Sequence, residues 1–244
     1  MKNRLFKGIG LLLVLAVLCT VSAFADDTVR IGSAAELAAL GGKEHTGKIE
    51  LTQDIDMTDV AMEPITSFVG EFNGNGYTVK NLTISAELAE NYTTKGAALF
   101  ATFSGKAHDV VFENPSITLT KGQNVGTAVL CGVVGEDGVT IENVGIVGGS
   151  ISIEAAKTTY ASGLVGYAVN TSLTVKNCFT EADVVYTGST KPTYNYFGGM
   201  LSYMMNVDLA FENCAVLGDV EAHTGYNIGN AGGFVGIING SNTG

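Results

Sequence analysis

The chain has no tryptophan, only three prolines, and 13 Lys and Arg residues against 24 acidic ones. Its formal net charge is therefore −11 at pH 7. Nucleic acids and anionic membrane surfaces are held mainly by Lys and Arg, so neither is expected as a partner. Scarce proline together with 32 glycines favours many short strands joined by turns.

Cysteine is also scarce. Of the four cysteines, three lie beyond the N-terminal segment, namely Cys131, Cys178 and Cys214. Their odd number and wide spacing do not indicate a disulfide framework. No Cys-x-x-Cys pair is present, so a zinc knuckle is not expected. The sequence therefore predicts no metal site and no other cofactor.

Residues 1–25 have the pattern of a secretory signal peptide. A positive start is followed by an apolar run and a small-x-small cleavage site. These parts are Lys2 to Lys7, residues 8–21 and Ala23-Phe24-Ala25. The apolar run is short for a membrane span, so contact with a membrane is expected only during export or through an anchor elsewhere. Cleavage would remove three positive charges and take the net charge from −11 to −14.

Residues 26–244 are predicted to form one repeat domain, because a short unit recurs through them. The unit is a small residue, two apolar residues and another small residue. Its copies are Ala98-Leu99-Phe100-Ala101, Val129-Leu130-Cys131-Gly132, Gly163-Leu164-Val165-Gly166, Gly199-Met200-Leu201-Ser202 and Gly233-Phe234-Val235-Gly236. Because the last copy begins so close to the end of the sequence, we expect this chain to be the front of a longer repeat protein.

A second submotif keeps a fixed offset from the first. Asn143, Asn177 and Asn213 each follow the end of a unit by eleven residues, which gives a repeat of about 34 residues. Asn81 and Asp109 are assigned to the same place in earlier repeats. Residues beside these positions alternate apolar and polar, which predicts strands. Stacked copies would bury a continuous core and place the asparagines in a ladder at one corner, where asparagine tolerates the left-handed conformation.

The front of the domain has its own signals. Ser33 and Glu36 form a capping box before an apolar stretch and Gly41-Gly42, which predicts a helix over roughly residues 34–40 covering the first edge of the stack. Strands are predicted at residues 48–51 and 70–72. Asn73-Gly74-Asn75-Gly76 predicts a glycine-rich turn.

These motifs resemble the GLUG-type repeats of bacterial cell-surface proteins and their leader. The matching parts are Gly163-Leu164-Val165-Gly166 with Val175-Lys176-Asn177-Cys178, and in the leader Glu36-Leu37, residues 51–57, Pro64-Ile65 and residues 68–82. The resemblance implies an all-β fold, a right-handed parallel β-helix of the pectin lyase-like kind with a short N-terminal capping helix. It also implies a secreted or cell-surface location in a bacterium and an adhesin-like role.

Some proteins with these repeats are zinc peptidases that cut immunoglobulin A. Their protease domain uses a His-Glu-x-x-His helix. The three histidines of this chain, His45, His108 and His223, do not form that motif, so the peptidase activity is not carried over.

The alternative function is a polysaccharide-degrading β-helix enzyme. Asp54 and Asp56 are the best carboxylate pair by sequence, because residues two apart face the same side of a strand. They also match the family leader, where a role in a turn or cap is favoured. We therefore predict no catalytic residues and no enzyme activity. The function predicted is a non-catalytic module for adhesion, display or structural spacing.

Two further features remain open at this level. Cys178 and Cys214 hold equivalent places in neighbouring repeats and are expected to stack, as free thiols or as a disulfide. Two segments, residues 187–196 and 221–228, are predicted to be loops on one side of the stack. Tyrosines on that side are candidates to hold a host or cell-wall glycan or protein, namely Tyr160, Tyr194, Tyr196 and Tyr226.

Overall fold

The computed structural model describes residues 28–88, 95–154, 158–188, 194–222 and 230–240. Within these ranges the strands form three sheets, and every strand pairing is parallel. The predicted signal peptide, residues 1–25, lies outside the described residues, and so do Tyr226 and His223. The predicted fold class is confirmed, because the described chain is a parallel β-solenoid.

Sheet A, the largest, contains 14 strands among the described residues. They are β1 Thr28–Ile31, β2 Glu44–Leu51, β3 Ile55–Asp56, β4 Ser67–Asn73, β5 Thr78–Lys80, β8 Phe100–Glu113, β11 Cys131–Val147, β14 Val165–Val169, β15 Ser172–Lys176, β16 Phe179–Thr180, β19 Leu201–Met205, β20 Asp208–Glu212, β21 Ala215–Val216 and β24 Val235–Asn239. Strands β8 and β11 are long and continuous, whereas the later coils divide the same path into separate shorter strands. For this reason β11 pairs with three strands of the next coil, β14, β15 and β16.

Sheets B and C contain five strands each in the same ranges. Sheet B consists of β6 Thr83–Glu87, β9 Ser116–Lys121, β12 Ser150–Ile153, β17 Asp183–Tyr186 and β22 Val220–Ala222. Sheet C consists of β7 Lys95–Ala97, β10 Val125–Thr127, β13 Thr158–Ser162, β18 Tyr194–Gly198 and β23 Asn230–Gly232. From β7 onward, the chain passes in each coil from sheet C to sheet A and then to sheet B.

The small-apolar-small units form the turn from sheet C into sheet A. Their apolar residues are buried, as at Leu99, Leu130, Leu164 and Met200. The residue after each of these apolar residues stays in register from coil to coil, with Cys131 opposite both Phe100 and Val165. The predicted repeat of about 34 residues therefore corresponds to one coil of the solenoid.

The predicted N-terminal helix is present and is shorter than expected. It is α1, Ala34–Ala38, and its N-cap Ser33 accepts a hydrogen bond from the Glu36 backbone N–H at 3.3 Å. Leu37 and Leu40 are buried in the core, so the helix covers the apolar end of the stack. At this end the outermost strand of sheet A is β1, which precedes the helix.

The predicted asparagine ladder is present. Asn143 donates to the Asp109 carboxylate at 2.8 Å, Asn177 donates to Asn143 at 3.1 Å, and Asn213 donates to Asn177 at 3.1 Å. All four residues have φ between 50° and 56°. The placement of Asn81 in this ladder is wrong. Lys80 is paired with Glu113, so Asn81 aligns with Asn114 at the next corner of the coil.

A second asparagine ladder was not predicted. Asn206 donates to the side-chain oxygen of Asn170 at 3.0 Å, and both residues have positive φ. They mark the point where later coils break sheet A between β14 and β15, and between β19 and β20. Earlier coils pass this point through Gly70 and Gly105, which also have positive φ. Residues able to adopt the left-handed region thus define both corners.

Cys178 and Cys214 stack in neighbouring coils as free thiols. Each sulfur lies near a backbone carbonyl, that of Lys176 at 3.0 Å for Cys178 and that of Glu212 at 3.3 Å for Cys214. Burial raises the pKa of the Cys178 thiol to about 12. The thiolate is therefore disfavoured, and this cysteine belongs to the packing of the core.

Asn195 is the least satisfied polar side chain of the described core. It is 2% exposed, and neither its amide oxygen nor its amide nitrogen has a hydrogen-bond partner. The same register position is Thr159 in the preceding coil and Val125 in the coil before that. A β-branched residue therefore fits this place.

We expect Asn195→Val to raise the free energy of unfolding by about 1–3 kcal/mol, because it removes two buried polar atoms that have no partner. Urea unfolding followed by circular dichroism measures the change. Thr159→Val is the matched control, since the Thr159 hydroxyl donates to the Val125 carbonyl at 3.5 Å and its loss brings no such gain. A destabilised Asn195→Val protein would contradict the prediction.

Candidate functional site

Four tyrosine side chains form a cluster, here called the tyrosine block, at the junction of sheets C and A. Tyr160 and Tyr196 come from β13 and β18 of sheet C, and Tyr167 and Tyr203 come from β14 and β19 of sheet A. All four are half-buried. The block is the largest group of contacting aromatic rings on the described outer surface.

The pairing register of adjacent strands brings the four tyrosine rings together. Tyr160 is paired with Tyr196, and Tyr167 with Tyr203, in adjacent parallel strands. The ring centroids in each of these pairs are 5.4 Å apart, with interplanar angles of 5° and 9°. Across the junction the centroids of Tyr160 and Tyr167 are 4.7 Å apart, and those of Tyr196 and Tyr203 are 5.2 Å apart. Every ring therefore contacts at least two others, which fixes its orientation.

Small residues bring the two sheets close enough for these contacts. A Cβ atom on Gly126 of sheet C would overlap the carbonyl oxygen of Gly132 at the start of sheet A. One coil further on, Ser162 donates its hydroxyl to the Val165 carbonyl at 2.5 Å. In the next coil Ser202 donates to the Tyr196 carbonyl at 2.7 Å. The small residues of the repeat therefore close the junction, and the tyrosines line its outer face.

The block carries no formal charge. Burial raises the pKa of Tyr160, and the neighbouring Tyr167, Tyr203 and Tyr196 raise it further. Burial also raises the pKa of Tyr196, with added contributions from Tyr203 and Tyr194. The phenols of Tyr160 and Tyr196 therefore stay protonated at neutral pH. Tyr194, which is 60% exposed, lies two residues before Tyr196 on the same face of β18 and extends the aromatic surface.

Sequence reasoning found part of this surface. Tyr160, Tyr194 and Tyr196 do lie together on one side, but they are in strands β13 and β18, so the prediction that these residues are in loops is wrong. Tyr167 and Tyr203 were missed. The signal that could have found them is their position, since each directly follows a small-apolar-small unit.

The aromatic side chains of the block do not continue into the two preceding coils. In the two preceding coils the places of Tyr160 are taken by Gly126 and Gly96, and those of Tyr167 by Val133 and Thr102. Gly96 and Thr102 also line a cavity of about 680 Å³. Its acidic lining residues are Glu44, Glu63 and Glu87. Gly96 and Gly126 are both buried, and the residues that line the cavity include none of the tyrosine block.

The carboxylate pair singled out by sequence lies elsewhere and makes local hydrogen bonds. Asp54 accepts from the Thr78 backbone N–H at 2.9 Å. Asp56 accepts from the Thr58 hydroxyl at 2.7 Å and from Asn81 at 3.0 Å. The Thr58 hydroxyl is the main cause that lowers the pKa of Asp56 to about 2. The hydrogen bonds of both carboxylates are those of a turn.

This pKa shift predicts a pH dependence. A carboxyl with a lowered folded-state pKa stabilises the fold above its unfolded value of 3.8, and the contribution is lost as pH falls through about 2. We expect the urea midpoint of the wild-type chain to fall between about pH 4 and pH 2 by more than that of Asp56→Asn. Parallel pH profiles for the two proteins would contradict the assignment.

His108 joins two carboxylates on the outer face of sheet A. Its Nε2 lies 3.1 Å from Glu71 Oε1, and its Nδ1 lies 2.7 Å from Asp109 Oδ2. These hydrogen bonds are the main cause that lowers the pKa of both Glu71 and Asp109. Asp109 is also the first member of the asparagine ladder, so this trio is part of the solenoid wall.

In the described ranges, no group of three or more His, Cys, Asp or Glu residues is placed to hold a metal ion. Among the same residues, no helix has the length and apolar character needed to cross a bilayer.

Comparison with known proteins gives two similarities, while no protein-family model matches the chain. Halomucin of Haloquadratum walsbyi is 32% identical over 108 residues, which cover 44% of this chain and 1% of halomucin. A crystal structure from Bacteroides ovatus, of a protein provisionally named an immunoglobulin A1 protease, has a TM-score of 0.59 at 17% identity. That match covers 86% of this chain and 73% of the other. At this identity the structural likeness bears on the fold alone, and by that likeness the chain is a parallel β-solenoid repeat protein.

Proposed function

We propose that this chain is a non-catalytic secreted or cell-surface repeat module, of the GLUG-repeat kind, that serves adhesion, display or structural spacing. The observation that carries the proposal is the use of polar side chains in the described coils. The asparagine ladders, Asp56 and the His108 trio all bond within the wall of the solenoid. The most conspicuous feature left on the outer surface is an uncharged aromatic block.

Two further observations support an extracellular role. The first is the signal-peptide pattern of residues 1–25, which is followed at once by Asp26 and Asp27. The second is the similarity to part of halomucin. A low Lys and Arg content is also in keeping with a self-repelling secreted surface.

Fractionation of the native cells tests this proposal. Antibodies against the purified chain are expected to label intact cells or the culture medium, and mass spectrometry is expected to find a mature N-terminus near Asp26. A cytosolic protein that retains residues 1–25 would contradict an exported module. An unrelated cytosolic protein, which antibodies should not reach in intact cells, serves as the control for cell lysis.

A second candidate is a carbohydrate-active enzyme, because three glutamates line the cavity at Gly96 and Thr102. Paired carboxylates are the usual catalytic groups of glycoside hydrolases. We expect no new reducing ends when the chain is incubated with neutral or acidic polysaccharides. If turnover does occur, its loss in Glu44→Gln, Glu63→Gln or Glu87→Gln would favour the enzyme over the module.

A further inference from the structure

We propose that Cys178 and Cys214 form a modification site, at which an external disulfide oxidises the two thiols to a disulfide bond between neighbouring coils. The inference goes beyond the proposed function, because adhesion or display does not by itself require a covalent link between coils. It rests on the proposed export only for the presence of an oxidant, since disulfides form and persist in oxidising extracellular compartments.

The first argument is the position of the two cysteines in the stack. Phe179 is paired with Ala215 in adjacent parallel strands, so the residues directly before them, Cys178 and Cys214, lie opposite one another. Paired strands lie about 4.8 Å apart. A disulfide requires a Cα–Cα separation of about 4.4–6.8 Å. The backbone of the solenoid therefore places the two cysteines within bridging range.

The second argument is the direction of the Cys214 side chain. Its sulfur lies 3.4 Å from the carbonyl oxygen of Val175, which belongs to the coil of Cys178. The sulfur of Cys178 lies 3.0 Å from the carbonyl oxygen of the next residue, Lys176. Both sulfurs are therefore close to the same short segment of β15. Because the Cys178 sulfur also accepts from the Val144 N–H at 3.5 Å, bond formation requires the Cys178 side chain to rotate toward Cys214.

The third argument is the composition of the row to which these cysteines belong. The same register position is Val144 in the coil before Cys178 and Val110 in the coil before that. Both valines are buried, so an apolar side chain meets the packing requirement of this place. Packing alone therefore does not account for two successive cysteines, whereas a disulfide requires both of them.

The difference in exposure assigns a role to each thiol. Cys214 is half-buried and can meet an oxidant, whereas Cys178 is 2% exposed. In the first step the Cys214 sulfur attacks the oxidant disulfide, and one half of the oxidant leaves with the Cys214 proton. In the second step Cys178 loses its proton and its sulfur attacks Cys214, which releases the other half of the oxidant as a thiol. Two protein thiols are thus oxidised by two electrons, and one oxidant disulfide is reduced to two thiols.

Oxidation of the full chain with oxidised glutathione at mildly alkaline pH tests the proposal. The protein carries Cys19→Ser, which removes the cysteine of the predicted signal peptide. Cleavage after glutamate separates the two remaining candidates, because Glu181 and Glu212 lie between them. We expect mass spectrometry to find residues 155–181 joined to residues 213–221, with the loss of two hydrogens. Dithiothreitol should release both peptides.

The bond is also expected to stabilise the fold. It closes a loop of about 36 residues, so the thermal midpoint followed by circular dichroism should rise by roughly 5–10 °C on oxidation. The double variant Cys178→Val and Cys214→Val has the residue of the two preceding coils, and its midpoint should not respond to the oxidant. Cys131→Val is the matched control and should keep the full response, because the register neighbours of Cys131 are Phe100 and Val165.

Several outcomes would overturn the proposal. These are the absence of the joined peptides, glutathione retained on Cys214 as a stable adduct, and a bond between residues 213–221 of two chains. An equal rise of the thermal midpoint in the double valine variant would also contradict it. All of these measurements use purified protein and leave the cell-fractionation test untouched, so the proposed function and the disulfide can fail separately.

Discussion

Gly105→Ala is expected to destabilise the solenoid by at least about 3 kcal/mol, and this is the largest single effect that the structure predicts. Gly47, Gly70 and Gly105 are in register across β2, β4 and β8 and all have positive φ. A Cβ atom on Gly105 would overlap the carbonyl oxygen of Gly70, and φ at Gly105 is 118°. Neither backbone can move away without breaking the pairing of the strands. Urea unfolding of the purified variant measures the loss, and a protein that does not fold is the extreme of the same result.

Gly76→Ala is the matched control for this prediction. Gly76 also has positive φ, at 80°, but a Cβ atom there would have no neighbour within 4 Å. Gly76→Ala is therefore expected to lower the free energy of unfolding only through conformational strain, by about 1 kcal/mol. If the two variants lost the same stability, the overlap with Gly70 would not be the cause, and the glycine ladder would have no special role.

The repeat and its asparagine ladder could be predicted from sequence because both are periodic. Asn143, Asn177 and Asn213 keep one offset from the small-apolar units, and a constant offset implies stacking. The error at Asn81 has a physical origin. Asn or Asp residues with left-handed φ lie at two successive corners of the coil, for example Asp109 and Asn114 in one coil. Their local sequences look alike, and only the pairing of Lys80 with Glu113 decides between them.

The change of corner between early and late coils could not be predicted. Opposite Ser104 in β8, the strand β11 contains four residues, 135–138, between Val134 and Val139. Later coils keep this longer path and pass it through Asn170 and Asn206. This insertion is short compared with a repeat of about 34 residues. The repeat length alone does not show at which corner of the coil the extra residues lie.

The tyrosine block was predicted in part, for a similar reason. Tyr160 and Tyr196 precede glycine-containing turns among polar residues, which favours a loop by composition. They are in strands because β13 and β18 pair with each other in register over five residues. Tyr167 and Tyr203 become neighbours of these residues only because sheets C and A converge outside the core. That convergence follows from backbone contacts at Gly126 and Gly132, which a linear pattern does not reveal.

Few residue types occur at the corners of the described coils. Eleven non-glycine residues there have positive φ, and every one is Asn or Asp. The left-handed conformation costs other residues roughly 1–2 kcal/mol each. The side chains at these corners also bond from coil to coil, as in the ladder through Asn143. Conformational tolerance and axial hydrogen bonding therefore act at the same positions.

Asn177→Val tests both contributions and is expected to lower the free energy of unfolding by about 2–4 kcal/mol. Asn177 has φ of 52°, which a β-branched residue adopts poorly. Its side chain donates to Asn143 and accepts from Asn213, each at 3.1 Å, and valine can do neither. The position lies in the middle of the ladder, so both neighbours lose a partner. Urea unfolding at neutral pH gives the change.

Asn177→Gly separates the two causes, because glycine adopts positive φ without strain but cannot make the side-chain hydrogen bonds. It should cost about 1 kcal/mol, well below Asn177→Val, since the lost bonds are exposed to solvent. Equal losses in the two variants would mean that the hydrogen bonds carry the ladder and that conformational strain at the corner does not. A smaller loss in the valine variant would contradict the left-handed conformation assigned to this residue.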